Sequence, residues 1–340
     1  TYPRLKVCGS GLSPQALTQL DALGLRDRFE PRAFRMAGIT AVGPSGARVR
    51  LRGAVGAWIV PRTEFDHGLV EEAVRAGTTL HEGTRVLSLI RDDDGTVRGI
   101  KTAQGEHEAD FVVCANGSLS PFERDERPRM GIRTIMGWWK HAQLEEPDMG
   151  TMIWDRRLDG YYAWSFPEPD GVLNVGLTMP ETSNMSHHLR KVFAEILDEH
   201  YGATLAGAEP IGGWKGHPVT VSTRTGDITE RRAVWVGEAA RLVAPGTVEG
   251  ISFALLSGRL AGEILSKHLD VERGLARAHQ LAYRTAVALR TVPVFLAGES
   301  LVRMMRSERA RRITASVFDP QWAARRAASL LDDRPSHSAA

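Results

Sequence analysis

The segment Val234-Trp235-Val236-Gly237-Glu238-Ala239-Ala240-Arg241 runs an apolar strand pattern into a glycine, an acid and two small residues. Pro245-Gly246-Thr247-Val248-Glu249-Gly250-Ile251 follows and leads into a helical pattern. Small residues at a strand end let the backbone come close to a flat ligand. The Glu238 carboxylate can accept hydrogen bonds from sugar-like hydroxyls. The helix start expected at about Glu249 or Gly250 presents free N–H groups and a dipole that favour a negatively charged or electron-rich edge. Ser252, Ala254, Ser257, Gly258, Ala261 and Gly262 keep that helix slim, so it can pack closely. The same pattern also describes tight strand–loop–helix packing with no ligand.

Four further segments carry residue types suited to chemistry. Asp110-Phe111-Val112-Val113-Cys114-Ala115-Asn116-Gly117-Ser118-Leu119-Ser120 is a short apolar run ending in a polar turn. Arg62-Thr63-Glu64-Phe65-Asp66 places a guanidinium, whose planar fork suits phosphate, at a helix start. Lys6-Val7-Cys8-Gly9-Ser10-Gly11 combines a cation, a thiol and two glycines. In Tyr161-Tyr162-Ala163-Trp164-Ser165-Phe166-Pro167, strand alternation puts Tyr162, Trp164 and Phe166 on one face. Three aromatics on one face can grip an apolar ligand, or pack as core.

These segments together resemble the p-hydroxybenzoate hydroxylase-fold flavoproteins. The 237–251 stretch resembles their Gly-Asp-Ala-Ala…Pro…Gly-Glu-Gly-Ile signature, with Glu238 in place of Asp and Val248 in place of Gly. The resemblance implies that Gly237, Glu238, Pro245, Glu249, Gly250 and Ile251 line FAD, with the acid on the ribityl chain. The turn at Asn116-Gly117 resembles the Ala-Asp-Gly-x-x-Ser signature, Asn116 replacing the acid. Arg62 begins an Arg-x-x-Phe-Asp-x-x-Leu pattern whose arginine lies by the diphosphate or the flavin edge. Val86 falls in the strand that holds adenine through backbone groups. Arg4, Lys6, Cys8, Gly9 and Gly11 resemble the Arg-x-Lys-x-Cys-Gly-x-Gly segment of the geranylgeranyl reductase family. Tyr162, Trp164, Phe166 and Pro167 resemble that family's Tyr-x-Trp-x-Phe-Pro motif, which lines the substrate cavity, although Asp159 stands where a Pro is usual. Cys8 and Lys6 are the candidate catalytic residues that follow from this likeness.

Such flavoproteins open with a Gly-x-Gly-x-x-Gly strand–turn–helix unit that seats the diphosphate. No glycine fingerprint of that kind occurs in the 340 residues, and the chain starts at Thr1. The expectation is a truncated view of a longer chain. Weak FAD binding and an exposed sheet edge are expected if the chain begins here, and loss of the flavin is the competing explanation.

The elements that must position these groups read as a mixed α/β chain: a Rossmann-like FAD/NAD(P)-binding domain, an inserted antiparallel-sheet substrate domain and C-terminal helices. The expected division is 1–35, 62–130 and 225–290 for the FAD domain, 36–61 and 131–224 for the substrate domain, 291–331 for C-terminal helices and 332–340 for a tail. Ser13 caps a helix with Pro14 in its first turn, and Gly24 ends it. Residues 36–60 form a strand pair about Gly43-Pro44-Ser45-Gly46. Thr63 is the expected N-cap of the next helix, paired with Asp66. Residues 78–115 read as β, with 110–115 a buried strand. Strands are expected at 161–166, 172–178 and 233–236, and helices at 185–199, 249–269 and over most of 273–331, with Pro293 as a break.

The composition is that of a folded protein: 42% hydrophobic, 25% charged, net charge +2. Near-neutral charge gives no reason to expect a nucleic-acid partner. Cys8 and Cys114 cannot form a disulfide scaffold or a four-thiolate metal site, no metal is expected, and a cytoplasmic location is the default. No uninterrupted run of about 18 apolar residues appears, so no transmembrane helix is expected. Basic residues beside apolar ones around Val292–Leu296 and Leu301–Met305, with Arg303, Arg306, Arg309, Arg311 and Arg312, suit either a peripheral membrane contact or a cap over the substrate cavity. The resemblance implies an FAD-dependent oxidoreductase that reduces double bonds of a prenyl or polyketide-like small molecule, with NAD(P)H as electron source. The alternatives are a flavin monooxygenase, a halogenase (disfavoured by Tyr162 and Phe166 where that class has Trp and Ile), and a flavin-free binding protein on the same scaffold.

Overall fold

The computed structural model describes residues 1–53, 56–118, 130–181, 185–222 and 226–307. Six α-helices are α1 (Pro14–Leu23), α2 (Arg26–Phe29), α3 (Arg62–Arg75), α4 (Met185–Tyr201), α5 (Ile251–His268) and α6 (Arg277–Arg306). Among the described residues the architecture is mixed α/β, with four sheets and the long helix α6 after them. The last helices expected beyond residue 307, the tail, Leu119, Ser120 and Arg309, Arg311 and Arg312 lie outside the described residues.

The largest sheet has eight strands. Strand Met130–Lys140 pairs with Val172–Pro180, which pairs in turn with Ala163–Pro167, Met149–Ile153, Gly38–Val42 and Arg48–Arg52. Only the 149–153/38–42 pair is parallel. Strands Glu209–Pro210 and Lys215–Val221 share the other edge of 130–140. One face is covered by α4 through Leu189, Val192, Phe193 and Ile196, which join Ile132, Leu177 and Val175 in the main apolar cluster. The opposite face carries a register row Met136, Gly176, Trp164, Met152, Ala41. A Cβ on Gly176 would collide with the Trp164 ring, so glycine there lets the indole lie across the neighbouring strand.

A smaller sheet pairs Ala233–Trp235 in parallel with Val112–Cys114, with Thr229–Glu230 on the outer edge. Helices α5 and α6 pack on it through Phe253, Leu256, Tyr283, Val287 and Phe295. Strand 112–114 is less buried than expected. It is an edge strand and Val113 is 47% exposed, because no described element covers that side chain. A third sheet is the meander Val86–Arg91, Val97–Thr102, Gly105–Glu108.

Several local expectations hold. Ser13 accepts from the Ala16 N–H as N-cap of α1, Pro14 occupies the first turn, and Gly24 ends the helix at φ 68°. Three are corrected. The N-cap of α3 is Pro61, with no side-chain cap, because Asp66 turns instead to Arg62. The aromatic strand begins at Ala163 rather than Tyr161. Pro293 lies inside α6 without breaking it. The ring removes one donor, but Leu289 and Pro293 lie on the exposed side of the helix while Thr291 and Phe295 on the other side remain buried. Helix α6 therefore runs unbroken across residues 290 and 291. It is also long and apolar enough to cross a membrane, in contrast with the reading from uninterrupted runs. Scattered arginines interrupt its apolar run, yet its most apolar 18-residue window still has a mean hydropathy of 1.3.

Gly298 is the closest approach of α6 to the loop at Pro245, and a Cβ there would fall inside contact distance of the Pro245 carbonyl oxygen. Gly→Ala in an exposed helix gains about 1 kcal/mol. Here the backbone collision reverses the sign, and Gly298→Ala is expected to cost about 1–3 kcal/mol in urea unfolding. A variant as stable as the parent would show that the loop yields freely.

Candidate functional site

The parallel strands 112–114 and 233–235 end side by side, and their carboxyl ends deliver Asn116-Gly117 and Gly237-Glu238 to one region. Ligands of open α/β sheets bind at such strand ends. Gly237 has φ 56°, and a Cβ there would lie 3.1 Å from Ala254 of α5. Its N–H donates to Ser257 Oγ at 2.9 Å. The 3-10 turn Gly237–Ala240 then presents Glu238.

Glu238 is the electrostatic centre of the site. Its Oε1 is buried with no hydrogen-bond partner, and its Oε2 lies 3.9 Å from Lys6 Nζ. Burial raises its pKa, against the pull of Lys6. Lys6 Nζ lies 3.0 Å from His217 Nε2, and Ser118 Oγ is 3.3 Å from the same nitrogen. Burial, then the charges of Lys6, Arg133, Arg62 and Arg4, push His217 down to about 4. The imidazole is thus neutral at pH 7 and accepts from the Lys6 ammonium. Burial likewise lowers Lys6, although Glu238 opposes it.

Arg62 is turned inward. Its Nε and Nη2 hold the two oxygens of Asp66 at 2.7 and 3.0 Å, and it also hydrogen-bonds Cys8. Arg4 reaches the same carboxylate at 3.0 Å. One buried acid therefore anchors two arginines behind the Lys6–Cys8 segment.

The loop into α5 is tied at both ends. Ser13 Oγ donates to Glu249 Oε1, and the Tyr162 hydroxyl donates to the Thr247 carbonyl. Glu249 and Gly250 precede the helix, which begins at Ile251. Val248 has φ 53°. A β-branched residue in the left-handed region is strained, and such strain persists only where the surroundings impose it.

Tyr162, Trp164 and Phe166 do share one face, with successive ring centroids 6.2 and 6.3 Å apart. They pack with Val7, Met152, Leu301, Met304 and Met305. Gly9 lies against this wall: a Cβ there would come within 3.1 Å of Trp164 Nε1 and 3.2 Å of the Phe166 ring. Trp164 Nε1 donates to Asn174 Oδ1 at 2.9 Å. Asn174 Nδ2 donates to Glu168 Oε1 at 3.0 Å and to the Cys8 carbonyl at 3.3 Å. Trp138 Nε1 also donates to Glu168, at 3.3 Å. Burial raises the Glu168 pKa against these hydrogen bonds.

The fold thus gathers Lys6, Cys8, Arg62, Glu238, Pro245, Glu249, Gly250, Ile251 and the aromatic face. Asn116 and Gly117 stand at the neighbouring strand end, and Val86 begins the first strand of the third sheet. Sequence reasoning missed His217, Ser118, Glu168 and Asn174. Asn174 had a signal, being a polar residue at an inward position of an apolar strand. His217 had none. Asp155, Glu199 and His200 form a separate acid–imidazole group, already bridged by Arg157.

The orphaned Glu238 oxygen asks for an external donor, and a polyhydroxyl chain such as the ribityl arm of FAD supplies one. The left-handed Gly237 packs closely on Ala254 of α5, so no side chain projects from that turn. The residues present therefore fit FAD.

Comparison with known proteins agrees. A family described as FAD dependent oxidoreductase matches residues 13–264. The chain is 26% identical to a menaquinone reductase of Mycobacterium tuberculosis, covering 99% of this chain and 91% of that protein. It is 30% identical to digeranylgeranylglycerophospholipid reductase 1 of Methanopyrus kandleri, covering 78% of this chain and 71% of that one. Its fold matches the crystal structure of a geranylgeranyl bacteriochlorophyll reductase-like protein from Thermoplasma acidophilum with a TM-score of 0.77 and 20% identity, over 95% of this chain and 90% of that one.

The neutral His217 has a consequence for stability. Its folded pKa, about 4, lies below the unfolded value of about 6.5. Above pH 6.5 both states are neutral and nothing is lost. Between these values only the unfolded chain takes the proton, so stability falls as pH drops, by of order 1–2 kcal/mol after solvent screening. His217→Gln should flatten that part of a denaturant-unfolding pH series. Superimposable slopes for the two proteins would contradict the assignment.

Proposed function

The chain belongs to the FAD dependent oxidoreductase family, and from that premise we propose that it reduces a carbon–carbon double bond in an apolar, prenyl-bearing small molecule. The observation that carries this reading is the join between the aromatic face and the cofactor loop, made by the Tyr162 hydroxyl on the Thr247 carbonyl. A hydrocarbon gripped by Trp164 and Phe166 lies next to the loop that leads into α5. The reductase names of its relatives support the same reaction class.

Glu238 would hold the ribityl hydroxyls through Oε1, with the Gly237 turn beside it and Glu249, Gly250 and Ile251 at the ring end. Pro245 and the Asn116-Gly117 turn would close the neighbouring sides. Bound there and reduced, FAD would supply the hydride for one alkene carbon, and the other carbon would take a proton. Lys6 keeps a proton on Nζ, hydrogen-bonded to neutral His217, close to Glu238. Burial lowers its pKa, which makes that proton easier to give up than that of a solvated lysine. The aromatic face, Met152 and Met304 exclude water from an apolar substrate. NAD(P)H is the proposed source of electrons, and the cytoplasm the proposed location.

The test is the visible spectrum of protein expressed from the native start codon, then anaerobic reduction with NADPH in the presence of polyprenyl substrates. A flavin spectrum and a product two hydrogens heavier are expected. A colourless protein that takes up no added FAD would sink the reading, and an oxygenated product would replace reduction by monooxygenation. Removing a hydrogen bond to a charged acceptor costs about 1.5–3 kcal/mol, so Glu238→Ala should weaken FAD binding by roughly 10- to 100-fold in a fluorescence titration.

A further inference from the structure

Helix α6 has two apolar faces. The inner one belongs to the protein: Tyr283, Val287, Thr291 and Phe295 are almost fully buried. The Tyr283 hydroxyl lies 3.3 Å from both the Trp235 and Ser257 carbonyls. The outer one is bare among the described residues. Leu281 is 62% exposed, Leu289 69% and Leu296 51%. Spacings of eight and seven residues, about two turns each, align them along one side over about 22 Å. Three half-exposed or more exposed leucines recurring on one side of one helix offer an apolar stripe for an interaction surface.

The helix is also one-signed. It carries Arg277, Arg284, Arg290, Arg303 and Arg306 against a single acid, Glu299. Arg284, Arg303 and Arg306 are ion-paired with Asp227, Glu299 and Asp159. Arg277 and Arg290 have no ion pair among the described residues. A second copy docked on this side would bring arginines against arginines. An anionic lipid surface offers the complementary charge and takes the leucines.

We propose that this outer face of α6 docks the protein flat on an anionic bilayer surface. The helix lies in the interface rather than crossing it, because crossing would strip Tyr283, Val287 and Phe295 from the protein core. The same helix reaches the site. Gly298 abuts the Pro245 carbonyl, and Leu301, Met304 and Met305 pack with the Tyr162–Trp164 wall. Docking thereby puts the apolar wall one helix away from the acyl region, so a prenyl chain leaves the bilayer without crossing bulk water. This inference rests on the apolar-substrate reading above.

The test is flotation of the full-length protein with equimolar phosphatidylcholine–phosphatidylglycerol vesicles, against phosphatidylcholine alone. The wild type is expected to float with the anionic vesicles, less with the neutral ones, and less as salt is added. The combined Leu281→Gln, Leu289→Gln, Leu296→Gln variant should lose binding by about tenfold or more. Its flavin spectrum and its reduction of a short, water-soluble alkenol should be unchanged, which separates failure of docking from failure of the proposed reaction. Wild-type protein left in the aqueous fractions, or a triple variant that floats as well as wild type, overturns the proposal. So does a wild-type dimer that the triple variant converts to monomer, which would assign the face to a second copy.

Discussion

The side chain of Asn174 is wholly buried and holds three parts of the molecule together. Its Oδ1 accepts from the Trp164 indole, and its Nδ2 donates to Glu168 and to the Cys8 carbonyl. A buried amide without partners costs a few kcal/mol, and one with all of them is nearly neutral but highly directional. Asn174 is therefore less a source of stability than a constraint. The indole cannot turn, the chain at Cys8 cannot lift away, and the 164–168 strand end cannot shift without leaving polar atoms unpaired. Glycines fill the remaining requirement, since Gly176 and Gly9 are where the ring and the chain come closest.

From that clamp the electrostatics follow. Holding Cys8 holds Lys6 two residues away, and Lys6 is the cation that meets Glu238 and His217. Asp66 gathers Arg4 and Arg62 behind it, so three basic groups converge with a single buried acid between two of them. Burial, reinforced by this concentration of positive charge, keeps His217 neutral, while at Glu238 the same charges only oppose the upward push of burial. Glu238 Oε1 is buried without a hydrogen-bond partner, as is Ser252 Oγ at the start of α5. That is how a pre-organised binding site differs from a satisfied core.

The loop between Gly237 and Ile251 joins the two halves of the problem. Tyr162 holds it from the aromatic side, Ser13 from the side of α1, and α6 presses on it at Gly298. Val248 keeps a left-handed backbone under these ties. With glycine the position would be free of strain. With valine the neighbours must impose it, and the loop has little freedom to relax.

Much of this was legible in the residues. The Gly-Glu-Ala-Ala turn, the alternation of Tyr162, Trp164 and Phe166, the Ser13–Pro14 cap and the strand–turn–strand about Gly43 follow from local rules, because turns, caps and period-two alternation depend on neighbours along the chain. The cofactor class was legible too, since its signature is a local strand–loop–helix. What required the folded chain was every pairing across distance. Nothing near His217 points to Lys6, 211 residues earlier, and nothing near Asn174 points to Cys8. Asp66 read as a cap because capping is a local habit, but the nearby Arg62 and distant Arg4 won it. Pro293 read as a helix break because the lost donor is a local fact, while the packing of Phe295 and the solvent at Leu289 that keep the helix going are not. Local chemistry was the sequence's to determine. Which charges meet, which oxygen stays unpaired and which leucines face outward were decided only when distant segments were brought together.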